Sequence, residues 1–482
     1  MIEIDGLQLD LSDIVYVAHG QQVRLSPEAL ARMAESQRSA EATARRRPVY
    51  GRSTGVGANR TVSLSARDGQ DSHGLKLLRS HAVDAGRPLD RPTVRAMLVV
   101  RLSQLAAGGS GINPAVAESL AELLNADVLP EVREFGGIGT ADLPALAGTA
   151  LTMLGERKPL DGGSLPFRLE QWATADALPF ISSSALTIAQ AVLAHQELER
   201  LLANATTVAA MSFVAMSGNT EAFGPAVAAA ADTPAVGEAA RTIRVLVEGT
   251  GDPARIQDPY CLRTLPQIIG SQAEELQALG KLLERLVTAG NENPLVHGSP
   301  ADGTNDVAHH GLFQMTNLAR RADTLQLAIG AACATSLRRI DLLCDPNYTR
   351  QHPFLAADGS GQSGVMMLEY VAAAAAGRIR ANAQPSSLQT VVLSLGAEED
   401  ASFASVATVQ LQSTAHALAT ITAVELLCAS RALRLQGRSP GEFASPRLRA
   451  VMAAGLTLSA DVEDRDLRGD LDTAHVLVRA TY

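Results

Sequence analysis

GGIGTADLPALAGTAL, residues 136–151, sets three glycines ahead of a run of Leu and Ala with a proline at its second position. Glycine permits tight backbone conformations, and proline is tolerated in the first turn of a helix. The stretch therefore reads as a glycine-rich turn, 136–142, feeding a helix that begins near Leu143, with Asp142 placed to cap it. Thr140 stands in that turn between two of the smallest residues, Gly139 and Ala141, where a reactive side chain could be displayed.

Helical patterns continue on both sides. Upstream, SPEALARMAESQRSAEATARR starts at Ser26 and stops before Pro48, and residues 90 to 128 hold two further patterns, each opened by a proline. Downstream, residues 186 to 220, 266 to 290, 311 to 344, 364 to 382 and 399 to 433 carry apolar spacing of three and four over lengths far above the mean helix. The patterns at 311 to 344 and 399 to 433 look apolar around nearly the whole circumference, which places them at the centre of the molecule or of an oligomer. Residues 1 to 25 read as a small strand-and-turn start. Residues 49 to 75, with Gly51, Gly55, Gly57 and Gly74, read as a long irregular loop of the kind that usually serves as a lid or binding loop.

Composition agrees with a helical reading. Of 482 residues, 46% are hydrophobic but only 3% aromatic, so the helices pack through small side chains in an all-α fold. A net charge of -10 disfavours nucleic acid as principal partner. The N-terminus carries acids among its apolar residues and no uninterrupted apolar run of spanning length is evident, so neither a secretory signal nor a membrane partner is expected; a cytoplasmic protein is the default. Cys261, Cys333, Cys344 and Cys428 lack CxxC spacing and are expected as reduced, buried thiols.

Four segments in order, VYGRSTGVGANR (49–60), LLRSHAVDAGRPL through NADVLPEVREFGGIGTADLPALA (77–147), RIQDPYCLRTLPQ (255–267), and RRIDLLCDPN with SGVMM and EED (338–400), resemble the histidine and aromatic amino acid ammonia-lyase superfamily. Each is weak alone; their order and spacing make the assignment strong over roughly residues 1 to 440. The resemblance implies a long central helix bundle of the ammonia-lyase type with a small irregular N-terminal region. It also implies a homotetramer whose active sites are each built from three subunits. We divide the chain into a 1–200 active-site domain, holding loop 49–75 and turn 136–142, and a 201–482 bundle with the C-terminal helices.

The family carries Ala-Ser-Gly at the position of Gly139-Thr140-Ala141, and this triplet cyclises with loss of two waters to an electrophilic methylidene-imidazolone ring. All three positions are changed here. A ring from Thr140 would bear an extra methyl on the electrophilic carbon, and Ala141 puts a Cβ beside the attacking nitrogen. The expectation is that this cofactor does not form and that no other replaces it.

Amine elimination needs a base, an anchor for the substrate carboxylate and a partner for the amine in one cavity. By the resemblance Tyr50 is the base, and its phenol must be depressed from its reference range to act near neutrality. Arg263 clamps the carboxylate through its planar fork. Tyr260 lies near the leaving amine, Gln257 is a polar neighbour, and Glu399 is the acid of a Gln-Glu-Asp element in which Glu398 replaces the Gln. His81 meets the substrate ring in histidine-type members, and Phe313 is an aromatic wall. Without the motifs, Tyr260 and Arg263 would read as an ordinary helix pair, Phe313 as core, and Glu398 and Glu399 as acids favoured at a helix start.

Departures fall around the ring and the amine. Ser182 stands for an Asn, Leu312 and Gln314 for the Asn and His of Gly-Asn-Phe-His-Gly, and Ala401 for a His. Neither a metal at His309-His310, whose adjacent side chains diverge, nor a phosphate-binding loop at residues 52–57 is supported. The preferred function is a lyase that works without the ring on a histidine-like or aromatic amino acid derivative with a preactivated nitrogen, such as the quaternary ammonium of a betaine. The alternatives are an ordinary ammonia-lyase or aminomutase with a Thr-derived ring, and a non-catalytic binding protein on the same fold.

Overall fold

A computed structural model describes residues 1–64, 73–167, 169, 172–299, 301–359 and 361–482. Part of the expected 49–75 loop, residues 65–72, lies outside them. Helices dominate, joined by three two-stranded pairings among the described residues: Ile2–Ile4 parallel to Val23–Leu25, Ala85–Pro88 antiparallel to Arg133–Phe135, and Leu295–His297 antiparallel to Asp306–Ala308. The chain forms two compact units. One comprises residues 1–196, 280–322 and 385–409, the other 197–279, 323–384 and 410–482.

The helix starts follow local chemistry. Ser26 Oγ accepts from the Ala29 amide at 3.1 Å to open Pro27–Arg46, and Asp90 accepts from Thr93 at 2.8 Å to open Arg91–Ala106. Asn113 does the same for Pro114–Asn125. The expected strands of the N-terminal region are present, but between them Leu11–Ala18 is a helix whose Ile14 and Val17 are fully buried. That short helix packs on Arg91–Ala106, which is buried from Thr93 to Ala106 and forms the axis of the first unit.

Two sequence expectations need correction. The helices Thr316–Leu343 and Ala404–Leu435 begin several residues after their apolar patterns do, leaving 311–315 and 399–403 as connecting segments. In the single chain Thr316–Leu343 leaves Asn317, Leu327, Ala331, Ala334 and Arg338 exposed. Finally, Thr174–Ala215 is long and apolar enough to cross a bilayer by length and composition, but 89% of that apolar window is buried, as in a core helix. All four cysteines are free and buried.

In the second unit, Arg339 and Glu425 make a buried ion pair at 2.6 Å, and Ser212 Oγ donates to the same carboxylate at 2.8 Å. Arg339 Nη1 reaches the carbonyl of Cys261 at 3.4 Å, and the Asp258 carboxylate accepts from the Asn219 amide at 2.6 Å and Arg255 Nε at 2.9 Å. The 255–263 segment is thereby fixed at both ends.

Candidate active site

Three segments of the first unit, 314–315, 402–405 and 183–187, meet the 136–142 turn, and every one of its carbonyls from 137 to 139 is taken. Gly137 O accepts from Ser405 Oγ at 2.9 Å, Ile138 O from the Phe403 amide at 2.9 Å, and Gly139 O from both Ser402 Oγ at 2.7 Å and the Met315 amide at 3.2 Å. Thr140 pairs with Gln314 in an isolated antiparallel bridge. Position 139 must be glycine: its φ is +85°, and a Cβ there would lie 2.2 Å from Ser402 Oγ. Ala141 also holds a left-handed φ, +87°, which a side-chain-bearing residue adopts only at a cost.

Asp142 does not cap the helix it precedes. Its carboxylate instead accepts from the Thr187 amide and hydroxyl, both at 2.9 Å, and so caps the first turn of the neighbouring helix Ala185–Ala215. Burial pushes this carboxyl up to about 6, against the opposing effect of the Thr187 donors. The serines of Ile181-Ser-Ser-Ser are divided among three partners. Ser182 Oγ accepts from the Asn293 amide at 3.2 Å, Ser183 Oγ donates to Gln104 at 2.6 Å while its carbonyl accepts from the Asp142 amide, and Ser184 Oγ donates to the Phe313 carbonyl at 3.1 Å.

Below this layer Arg101, fully buried, pairs with the equally buried Glu292 at 2.7 Å and donates to the carbonyls of Phe180 and Pro179. One charged network thus fixes the two chain segments that bring Ser182 and Asn293 to the surface of the site. Breaking such a pair strands a charge, so it holds geometry more than it supplies net stability.

The segments enclose a cavity of about 620 Å³. Tyr50, Thr140, Ala141, Ser182, Phe313, Gln314, Glu398 and Glu399 all line it, so eight of the residues singled out from sequence come together. The Tyr50 hydroxyl accepts from the Gly57 amide at 2.7 Å, and Gln314 Nε2 donates to Asp400 at 2.8 Å. Burial pushes the Tyr50 phenol up, the Gly57 donor opposes this, and Glu398 adds to it. The depression expected of a base is thus not supplied by the described surroundings, where Arg60 is the one guanidinium among the described lining residues.

Sequence reasoning missed Arg60, Asn293, His309 and Asp400, which share the wall. His309 Nε2 accepts from the Tyr50 amide at 3.2 Å, and its ring meets the Tyr50 ring edge-on at 6.4 Å. Burial lowers its basicity, with Arg47 next among the causes. His310 accepts from the Leu312 amide through Nδ1 and donates through Nε2 to Glu292 O, so the adjacent imidazoles serve as brackets between chain segments. Asp400 adjoins Glu399 and Arg60 ends the 49–60 motif, whereas Asn293 carried no signal and the His309-His310 pair was weighed only as a metal site.

The remaining predicted residues lie elsewhere. His81 ends the helix His73–His81, with Nδ1 2.9 Å from the Leu77 carbonyl, and is not in the cavity wall. Gln257, Tyr260 and Arg263 belong to the second unit and form a cluster of their own. The Arg263 guanidinium lies 4.3 Å over the Tyr260 ring and, with the Gln257 amide oxygen turned toward it, donates to that oxygen at 2.7 and 2.8 Å. A larger groove of about 730 Å³ in the second unit is lined mainly by Ala and Thr, with Glu238, Glu274 and Arg447 among its polar groups. Glu238 pairs with Arg241, and Arg447 is committed to Asn204, Thr207 and the Tyr482 carbonyl.

Comparison with known proteins places this geometry. A family model for aromatic amino acid lyases matches residues 9–455. Histidine ammonia-lyase of Streptomyces coelicolor is 32% identical over 499 residues, covering 98% of this chain and 95% of its own. Among solved structures, phenylalanine aminomutase of Pantoea agglomerans is similar with a TM-score of 0.91 at 25% identity, covering 99% of both chains. The ergothioneine-degrading ergothionase of Treponema denticola is similar with a TM-score of 0.88 at 22% identity, covering 99% of this chain and 98% of that one, a likeness of fold.

Proposed function

The chain belongs to the aromatic amino acid lyase family, which are carbon-nitrogen lyases, and from that premise we propose that it eliminates a tertiary amine from the betaine of a histidine-like or aromatic amino acid without a methylidene-imidazolone ring. The observation that carries this reading is the acidic wall. Glu398, Glu399 and Asp400 face the cavity that holds the Tyr50 phenol, opposed by the guanidinium of Arg60 alone among the described residues. Such a wall complements a substrate with a fixed positive charge.

The residues at the ring position do not fit the ring. Ala141 bears a methyl on the carbon next to the attacking nitrogen, and Thr140 would add another to the electrophilic carbon. No step is therefore routed through it. Tyr50 as phenolate removes a proton from the β-carbon, the C–H electrons form the Cα–Cβ double bond, and the Cα–N bond breaks to release a neutral tertiary amine. The nitrogen carries its positive charge at every pH and needs no electrophile to leave. The products are the unsaturated carboxylate, the amine and a protonated Tyr50.

The carboxylate clamp is assigned to Arg263, with Tyr260 and Gln257, supplied by another copy in a homotetramer. Supporting this, Tyr260 is 68% and Ile256 93% exposed in the single chain, apolar surface that association would cover. His81 is proposed for the ring end of the substrate on the motif resemblance alone, since it lies outside the wall of the Tyr50 cavity in the single chain. Intact mass spectrometry tests the ring directly: the encoded mass is expected. A deficit of two waters mapped to the peptide holding Thr140 would instead establish an ordinary ammonia-lyase or aminomutase. With the encoded mass in hand, turnover is expected of α-trimethylammonium but not free-amine forms of histidine, thiolhistidine or tyrosine. Turnover of neither would leave a binding protein.

A further inference from the structure

The second unit holds a cavity of about 570 Å³ with three arginines in its lining, Arg255, Arg350 and Arg438, and no carboxylate among the described residues that line it. That concentration of cations runs against a chain with a net charge of -10. Two of the guanidiniums are held rigidly from behind. Arg255 donates through Nε to Asp258 at 2.9 Å and through Nη2 to the Met216 carbonyl at 2.7 Å, and its Cζ lies 4.9 Å over the Tyr348 ring. Arg438 donates through Nε to Glu442 at 2.6 Å and lies 5.0 Å over the Phe443 ring. These contacts leave Arg255 Nη1 and both terminal nitrogens of Arg438 without a hydrogen-bond acceptor among the described residues.

Arg350 completes the set. Its side chain is exposed and makes no hydrogen bond or ion pair among the described residues, while its backbone sits in the left-handed region at φ 60°, ψ 26°. Glycine or asparagine would adopt that conformation at lower cost. Gln436 ties the walls together by donating to the carbonyls of Ala215 at 2.8 Å and Thr349 at 3.1 Å. Preorganised forks of this kind suit planar or tetrahedral oxyanions, and the volume lies within the range of small-ligand sites.

We propose that this cavity is a binding site for a compact organic polyanion bearing two or more carboxylate or phosphate groups, distinct from the Tyr50 cavity and independent of the reaction assigned to it. Asp258 and Glu442 offset two of the three charges, so a ligand with more than one acidic group is needed to engage all three forks.

Isothermal titration of the purified full-length protein with pyrophosphate and, separately, with citrate tests the proposal. Saturable binding of one molecule per chain to at least one probe is expected, weakened by added salt and weakened roughly tenfold or more in Arg350→Gly and in Arg438→Gln. Binding of pyrophosphate alone identifies a phosphate ligand, and of citrate alone a polycarboxylate. Arg350→Gly relieves the backbone conformation, so circular dichroism should show an intact fold. The absence of saturable binding of either probe up to about 10 mM, or affinities unchanged in both variants, overturns it.

Discussion

At the scale of single residues, burial raises both Tyr50 and Asp142, with different consequences for each. The phenol is pushed up mainly by burial and further by Glu398, so the phenolate fraction, and with it kcat/KM, should climb with pH until the phenol's own pKa is passed. Glu398→Gln removes one of the raising charges, so the ascending limb of the kcat/KM profile should move to lower pH. Over the same comparison, KM for a quaternary ammonium substrate should rise roughly tenfold through loss of an ion-pair partner. A limb that stays in place would separate Glu398 from the base. Asp142 is a stability question. Its folded pKa, about 6, lies above the usual 3.8, so its contribution is full below both values and is lost as pH rises through about 6, on the order of 3 kcal/mol in all. Asp142→Ala should destabilise by roughly 1–3 kcal/mol near pH 5 through loss of the Thr187 partners. Chemical unfolding across pH should show that gap narrowing between pH 5 and 7, and a widening gap would mean the carboxylate is ionised in the fold. These two residues also mark what one sequence discloses. Tyr50 stands in a motif dense with glycine, whereas Asp142 adjoins a helix start and so reads as its cap. The Thr187 partner is 45 positions away and leaves no local mark.

At the scale of elements, the long helices were legible because their apolar spacing persists for many turns, and their capping residues Ser26, Asp90 and Asn113 act over two or three positions. Connecting segments have no such period. Residues 311–315 and 399–403 were absorbed into helix patterns although they carry the cavity wall, and His309, Asn293 and Arg60 reach that wall from three separate stretches. What aligns two of the elements is the Arg101–Glu292 pair beneath the 179–184 and 291–294 segments. Glu292→Ala leaves a guanidinium buried without its charge partner and should cost roughly 3–5 kcal/mol. Because Ser182 and Asn293 ride on those segments, kcat should fall as well. Arg101→Met combined with Glu292→Leu removes both charges and should recover part of the stability without restoring the rate, since the Phe180 and Pro179 carbonyls lose their donor. Thermal unfolding of the single and double variants separates the two effects. Equal losses in both would assign the cost to packing rather than to a stranded charge.

At the scale of the whole molecule, the residues assigned to one reaction fall into two groups that no linear pattern could relate. Tyr50 and the acidic wall belong to a unit assembled from three stretches of chain, and Gln257, Tyr260 and Arg263 to the other. Motif resemblance could name all of them, but it could not say which copy of the chain supplies which. If each site takes its base from one subunit and its carboxylate clamp from another, two inactive variants should repair each other. Tyr50→Phe removes the proton acceptor, and Arg263→Ala removes the clamp while leaving Tyr50 in place. Co-expressed with distinguishable tags and purified through both, the mixed tetramers should contain sites with an intact Tyr50 from one variant and an intact Arg263 from the other. Random assembly gives roughly a quarter of all sites both groups, so activity should return to about a quarter of wild type from parents that have almost none. Sedimentation should give a tetramer for the mixture and for each parent, which excludes dissociation as the cause of the parental losses. If both residues serve a site within one chain, every site keeps one lesion and the mixture stays as inactive as its parents. That outcome would also remove the reason for the exposed Tyr260 and Ile256 to be covered by another copy.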